Sequence, residues 1–167
     1  MRLFIGIPIP SEAIRPYAEA LERCAPNGKF TARDNHHLTI AFLGETDERK
    51  LAGLTEIIQE TESAPIPLHF FRYGHFSDIW FLDPRQEKLL TTLYEDVTKR
   101  LREAGFSYDQ KPFHPHLTLA RKVVLSGTES LPPVSLSLTA EEITLYHSHR
   151  VDGLLRYTPL SFRRFAL

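Results

Sequence analysis

An α+β fold built as two similar lobes is what this sequence predicts, on three observations. Strand-like and helix-like periods follow one another as strand, helix, strand, helix, strands, long helix, strands, which is not the strict βαβ alternation of a doubly wound sheet. No glycine-rich phosphate loop and no Walker pattern is present. A short histidine element occurs twice, at HHLTI (36–40) and HPHLTLAR (114–121), as an internal duplication would leave it. Residues 1–167 read as one compact domain, because no linker is long or rich enough in Gly, Ser or Pro to separate two.

Each element has its own reason. RLFIGIPI (2–9) is a strand, and Ser11 caps a helix to about Arg23 with Ile14, Tyr17, Ala18 and Leu21 on one face. Pro26, Asn27 and Gly28 end it. HHLTIAFLG alternates as a strand, and Thr46 or Asp47 caps a second helix with the stripe Leu51, Leu54, Ile57 and Ile58. IPLHFFRYGHF and DIWFLD form a hairpin turning near Ser77. Asp83-Pro84 reads as cap and first-turn proline of the longest helix, whose buried face is Leu89, Leu90, Leu93, Val97 and Leu101 and whose stop is Gly105. HPHLTLARKVVL is a strand, a loop spans about Ser126 to Pro133, and SLSLTAEEITLYHSH and LRYTPLSFRRFAL complete a β-rich tail.

Composition excludes several function classes. With 42% hydrophobic and 25% charged residues in 167, the chain is an ordinary folded protein. A formal net charge of −1 argues against coating long nucleic acid, which needs many neutralised phosphates, yet leaves room for a basic cleft for one phosphate. The single cysteine, Cys24, rules out an internal disulfide and a cysteine-rich zinc site, and makes the cytoplasm the expected compartment. The start MRLFIGIPIP has too short an apolar run, broken by Pro8 and Pro10, for a secretory signal, and no apolar stretch approaches a membrane span. A monomer without membrane contact is expected.

The repeated element is His, apolar, Thr, apolar: His37-Leu38-Thr39-Ile40 and His116-Leu117-Thr118-Leu119. Shuffling this composition gives about 0.1 such match, so two carry information. Along a strand, residues two apart share a face, so His37 and Thr39 point one way while Leu38, Ile40 and Phe42 point the other, toward a core; His116 and Thr118 repeat the arrangement. His36 falls on the other face and reads as structural or exposed. Two imidazoles with two hydroxyls suit phosphodiester hydrolysis: one ring takes a proton from water, the other gives one to the departing oxygen, and the hydroxyls donate to phosphate oxygens. The competing readings are two core histidines, against which the repeat counts, and a zinc site, for which a third ligand at metal spacing is missing.

These paired motifs resemble the 2H phosphoesterases, and within them the bacterial and archaeal RNA 2′,3′-cyclic phosphodiesterases, also called 2′-5′ RNA ligases. The similarity runs through RLFIGIPIP, HHLTIAFLGE, FHPHLTLAR and LYHSHRVDGLLRYTPL, the last like the family's Leu-Tyr-x-Ser followed by Gly and Tyr-x-x-Leu. It implies a bilobal fold with pseudo-twofold symmetry, each lobe of antiparallel sheet and helices giving one histidine strand to a central cleft, and a reaction without metal or cofactor. On this resemblance His37 is the proton donor to ribose O3′, His116 the proton acceptor from water, and Thr39 and Thr118 hold the phosphate. Five residues after each histidine stand Phe42 and Arg121. Arg121 would bind phosphate or orient water, although strict alternation turns it away from His116 unless the strand bulges or ends first. Phe42 could stack on a base or pack in the core.

Among the other histidines, His114 shares a face with His116, whereas His69, His75, His147 and His149 have no matching threonine and read as peripheral. Tyr146 and Ser148 lie in the tail motif, and His147 departs from the acidic or polar residue usual there. The implied activity is opening of 2′,3′-cyclic phosphates at RNA ends to 2′-phosphates, with reversible 2′-5′ ligation as a companion. The alternatives are a non-catalytic nucleotide or RNA-end binding module, and a cyclic phosphodiesterase of small nucleotides such as ADP-ribose cyclic phosphate.

Overall fold

Two antiparallel sheets lie at the centre of the computed structural model, which describes residues 1–125 and 131–166. The strands are β1 (Arg2–Pro8), β2 (Lys29–Phe30), β3 (His37–Glu45), β4 (Ile66–Phe76), β5 (Ile79–Pro84), β6 (Leu117–Arg121), β7 (Leu136–Ala140), β8 (Glu142–Val151) and β9 (Leu154–Arg164); the helices are α1 (Ser11–Cys24), α2 (Leu51–Glu60) and α3 (Lys88–Glu103). One sheet runs β3-β1-β8-β9, the other β2-β6-β5-β4-β7. Each therefore carries one motif strand, next to a strand that precedes it in the chain across a helix: β1, α1, β3 in the first and β5, α3, β6 in the second. This is the bilobal α+β architecture expected. Part of the expected loop at Ser126 to Pro133 lies outside the described residues.

The helices tie the sheets together. Although α1 follows β1, the Tyr73 hydroxyl on β4 donates to the Tyr17 carbonyl at 2.7 Å, so α1 packs on the second sheet. Conversely, α3 follows β5 yet lies against β3 and α2, while α2 covers β8 and β9. One apolar core consequently includes Ile5, Leu38 and Leu145 from the first sheet with Phe70, Leu82 and Leu117 from the second. β1 is buried continuously from Leu3 to Ile7, as befits a central strand.

Two helix starts differ from expectation. Ser11 is not a cap: it is the first helical residue, and its hydroxyl meets His36 Nδ1 at 2.6 Å and accepts the Asp34 amide at 2.9 Å. Asp83-Pro84 does not open the long helix but ends β5, because the Asp83 carboxylate is held by Arg72 Nε at 2.7 Å across the β4–β5 ladder. The helix starts at Lys88 with Glu87 accepting from the Leu89 amide, which leaves Leu89 37% exposed while Leu90, Leu93, Val97 and Leu101 are buried. Asp47 does act as a cap, of a short 3-10 turn (Glu48–Lys50) that leads into α2.

Candidate active site

Both motif strands skip a register position at equivalent residues, and β3 skips a second farther on, at Leu43. Along β1, Ile5 pairs with Ala41 and Gly6 with Thr39, so Ile40 has no partner. Along β5, Trp80 pairs with Ala120 and Phe81 with Thr118, so Leu119 has none. Such a bulge shifts the facing of every later residue. Phe42 therefore leaves the core-facing side that strict alternation gave it and joins His37 and Thr39 on one face, and Arg121 joins His116 and Thr118. The conflict between Arg121 and strict alternation is resolved by the extra residue, three positions after the histidine in each motif.

The two imidazoles are anchored by the same device. His37 Nδ1 lies 2.8 Å from the Asn35 carbonyl, and His116 Nδ1 lies 2.7 Å from the His114 carbonyl, each two residues back. A carbonyl can only accept, so Nδ1 carries the proton in both rings and Nε2 is the nitrogen left for proton exchange. His37 Nε2 meets Thr39 Oγ1 at 2.9 Å. Gly6 allows this placement, since a Cβ there would stand 2.8 Å from the Leu38 carbonyl and 3.5 Å from the His37 ring.

The surroundings differ. His37 packs against Phe4, Tyr157 and Tyr146, with ring centroids at 4.7, 5.1 and 6.3 Å. Burial pushes it down to about 4; the Asn35 carbonyl opposes this, and the charges of His116, His36 and Arg121 add to it. His116 is flanked by Phe81 and Phe76 at 5.0 and 5.5 Å. Burial lowers it too, opposed by the His114 carbonyl and, less strongly, by the Asp83 carboxylate, while His114 and Arg121 add to the fall. Asp83 itself is buried, 3.8 Å from His114 Nε2. That His116 and Arg121 act on His37 places the two motifs within electrostatic reach across the sheets.

Of the residues singled out in the sequence, His37 and Thr39 thus share one face of β3, and His116, Thr118 and Arg121 share one face at β6, with His116 and Arg121 within electrostatic reach of His37. Phe42 is on the same face, covered by Arg2, whose guanidinium carbon lies 5.0 Å from the ring centre. His36 is buried against Ser11, as its opposite facing required. His114 touches Phe76 edge-on and supplies a backbone carbonyl to His116. His69 bonds Ser137, His75 stacks on Trp80, and His147 stacks on His149. Sequence reasoning missed Phe4, Phe76, Phe81 and Asp83; Phe4 could have been found, since it alternates with Gly6 beside the motif strand. Among the described residues no three His, Cys, Asp or Glu side chains are grouped as a metal would require. No helix among them is long and apolar enough to cross a membrane. A cavity of about 620 Å³ between β4, β7 and the turn before α3 contains none of the motif residues.

Known proteins share this arrangement of sequence and fold. The chain is 32% identical over 163 residues to the RNA 2′,3′-cyclic phosphodiesterase of Bacillus subtilis (strain 168), covering 87% of each chain. To the Escherichia coli (strain K12) protein of the same name it is 32% identical over 171 residues, covering 99% of this chain and 96% of that one. The crystal structure of E. coli LigT complexed with 3′-AMP superposes with a TM-score of 0.83 at 30% identity, over 99% of this chain and 98% of that one. The sequence pattern of the 2′-5′ RNA ligase superfamily matches residues 10–152, from the start of α1 to the β8–β9 turn and so through both histidine motifs. Two histidine strands with the same backbone anchor and an equivalent bulge, in a chain similar over nearly its whole length to these proteins, make it a member of the 2′-5′ RNA ligase superfamily.

Proposed function

We propose that this chain is an RNA 2′,3′-cyclic phosphodiesterase that opens cyclic phosphates at RNA 3′ ends to leave a 2′-phosphate. The observation that carries the reading is the pair of imidazoles, one from each sheet, with Nδ1 fixed to a backbone carbonyl and Nε2 left for proton transfer. In the reaction, His116 Nε2 accepts a proton from water as its oxygen attacks phosphorus. The bond from phosphorus to O3′ breaks opposite that attack, and His37 Nε2–H delivers a proton to O3′. Thr39 and Thr118 donate to the non-bridging oxygens, and Arg121 offsets their charge. Because these groups supply both proton transfers and the charge, the reaction is metal-independent in this reading. The chain acts as a cytoplasmic monomer of one duplicated domain, on RNA ends or small cyclic nucleotides, with reverse 2′-5′ ligation as a companion activity.

A second reading has one observation in its favour. Burial holds His37 near 4, so at pH 7 it is neutral, as a base must be, although burial lowers His116 as well. For His37 to act as the acid, the bound phosphodiester anion must raise it. If it stays neutral and serves as the base, attack comes from the other side and the phosphate is left on O3′. Turnover of 2′,3′-cyclic AMP at excess substrate with EDTA present, read by phosphorus NMR, tests both readings. The 2′-monophosphate is expected; the 3′-monophosphate would exchange the roles, and no turnover would favour a binding module.

A further inference from the structure

We infer that Arg2, seated on Phe42, forms a second phosphate subsite, which takes the phosphodiester on the 5′ side of the nucleoside whose cyclic phosphate lies between His37 and His116. The inference rests on the proposed reaction and concerns the length of RNA the site recognises. Three observations carry it. First, Arg2 is on the same face as the catalytic pair: it alternates with Phe4 and Gly6 along β1, and the bulge at Ile40 turns Phe42 to that face opposite Phe4. Second, the guanidinium carbon lies 5.0 Å from the centre of the Phe42 ring, so the ring steadies a planar cation whose several N–H donors suit phosphate oxygens. Third, Arg2 is connected to the reacting site, since the charges of Arg2 and Arg121 both act on Tyr157, whose ring contacts His37.

The spacing fits one nucleotide step. Arg2 and Phe4 are two residues apart on a strand, about 7 Å, and Phe4 touches His37. A phosphate held at Arg2 is therefore the neighbour of one held at the histidines. Among the described residues Arg2 makes no ion pair; its cross-strand neighbour Glu45 lies 3.3 Å from the Met1 amino group. Phe42 supports the cation.

The test compares adenosine 2′,3′-cyclic phosphate, the same compound carrying a 5′-phosphate, and the dinucleotide ApA ending in a cyclic phosphate. In the wild type, kcat/KM should rise at least about 10-fold on adding the 5′-phosphate, and Arg2→Ala should remove most of that rise. Arg2→Lys should keep part of it. The salt dependence of KM for the dinucleotide should weaken in Arg2→Ala by about 0.7 in log–log slope, the share of one phosphate contact on a single strand. Equal losses on all three substrates, or none on any, would overturn the subsite. Should the wild type turn over none of them, the proposed reaction is what fails; the subsite is then decided by whether Arg2→Ala weakens binding of adenosine 3′,5′-bisphosphate more than that of 3′-AMP.

Discussion

His37 and His116 stand on strands that are alike in four respects: the His-Leu-Thr-apolar sequence, an Nδ1 anchor on the carbonyl two residues back, buried apolar residues on the reverse face, and a bulge three residues on. Their environments are not alike. Rings of Phe4, Tyr146 and Tyr157 pack around His37, with no carboxylate acting on it among the described residues, whereas Asp83 sits opposite the start of the second motif with Arg72 and His114. The strand motif decides where Nε2 points, and the neighbours decide how tightly it holds a proton. A symmetric scaffold can thereby perform a reaction that needs one acid and one base.

The largest expected effects come from breaking the shared part. His37→Ala and His116→Ala should each slow hydrolysis of a cyclic nucleotide by at least about 100-fold, the low end for a positioned proton-transfer group; steady-state rates near wild type in either would contradict the pairing. Thr39→Ala and Thr118→Ala should cost roughly 10- to 1000-fold by removing a donor to the phosphate. The comparison sharpens here: Thr39 also bonds His37 Nε2, so only Thr39→Ala should move the pH limb of His37 along with the rate. If neither rate changes, the threonines are strand residues only.

A smaller effect should come from the part that differs. The Asp83 carboxylate raises His116, so Asp83→Asn should shift the His116 limb of the rate profile to lower pH, by under about one unit. The His37 limb should stay where it is, and an equal shift of both would assign Asp83 a purely structural role. A separate effect concerns stability. His37, His36 and His116 are all lowered by burial, so the unfolded chain binds more protons as pH falls from 6.5 toward 4. Folding stability from these groups is complete well above pH 6.5 and should fall across that window, by roughly 3 kcal/mol from His37 alone. Urea unfolding of wild type against His37→Ala isolates the His37 share; parallel curves would show that burial does not act as described.

Much of this was legible in the sequence, and the omissions have physical causes. Period-two alternation gave the facing of His37, Thr39, His116 and Thr118, because it depends only on the pleat. It failed at Ile40 and Leu119, where pairing with β1 and β5 inserts an unpaired residue that no local pattern announces. Asp83-Pro84 has the chemistry of a helix start, but an ion pair with Arg72, eleven residues away, holds Asp83 in the ladder. Apolar stripes identified the buried faces of α1 and α3 without saying which sheet each would cover, and both pack on the sheet they do not follow. Two-residue β2 was too short to carry a signal. Asp152-Gly153, with φ of 52° and 80°, was a readable hairpin turn between β8 and β9.

The pH dependence of the residual activity in the two histidine variants tests the acid–base pairing most directly. Wild-type kcat/KM should be bell-shaped with its maximum on the acid side of pH 6.5, since burial lowers both rings in the free enzyme. With His116 replaced by alanine, only the proton donor remains, so the residual rate should fall as pH rises. With His37 replaced, only the acceptor remains, and the residual rate should rise with pH. Opposite slopes in both variants would exchange the roles of the two histidines, and flat profiles in both would contradict the acid–base pair itself.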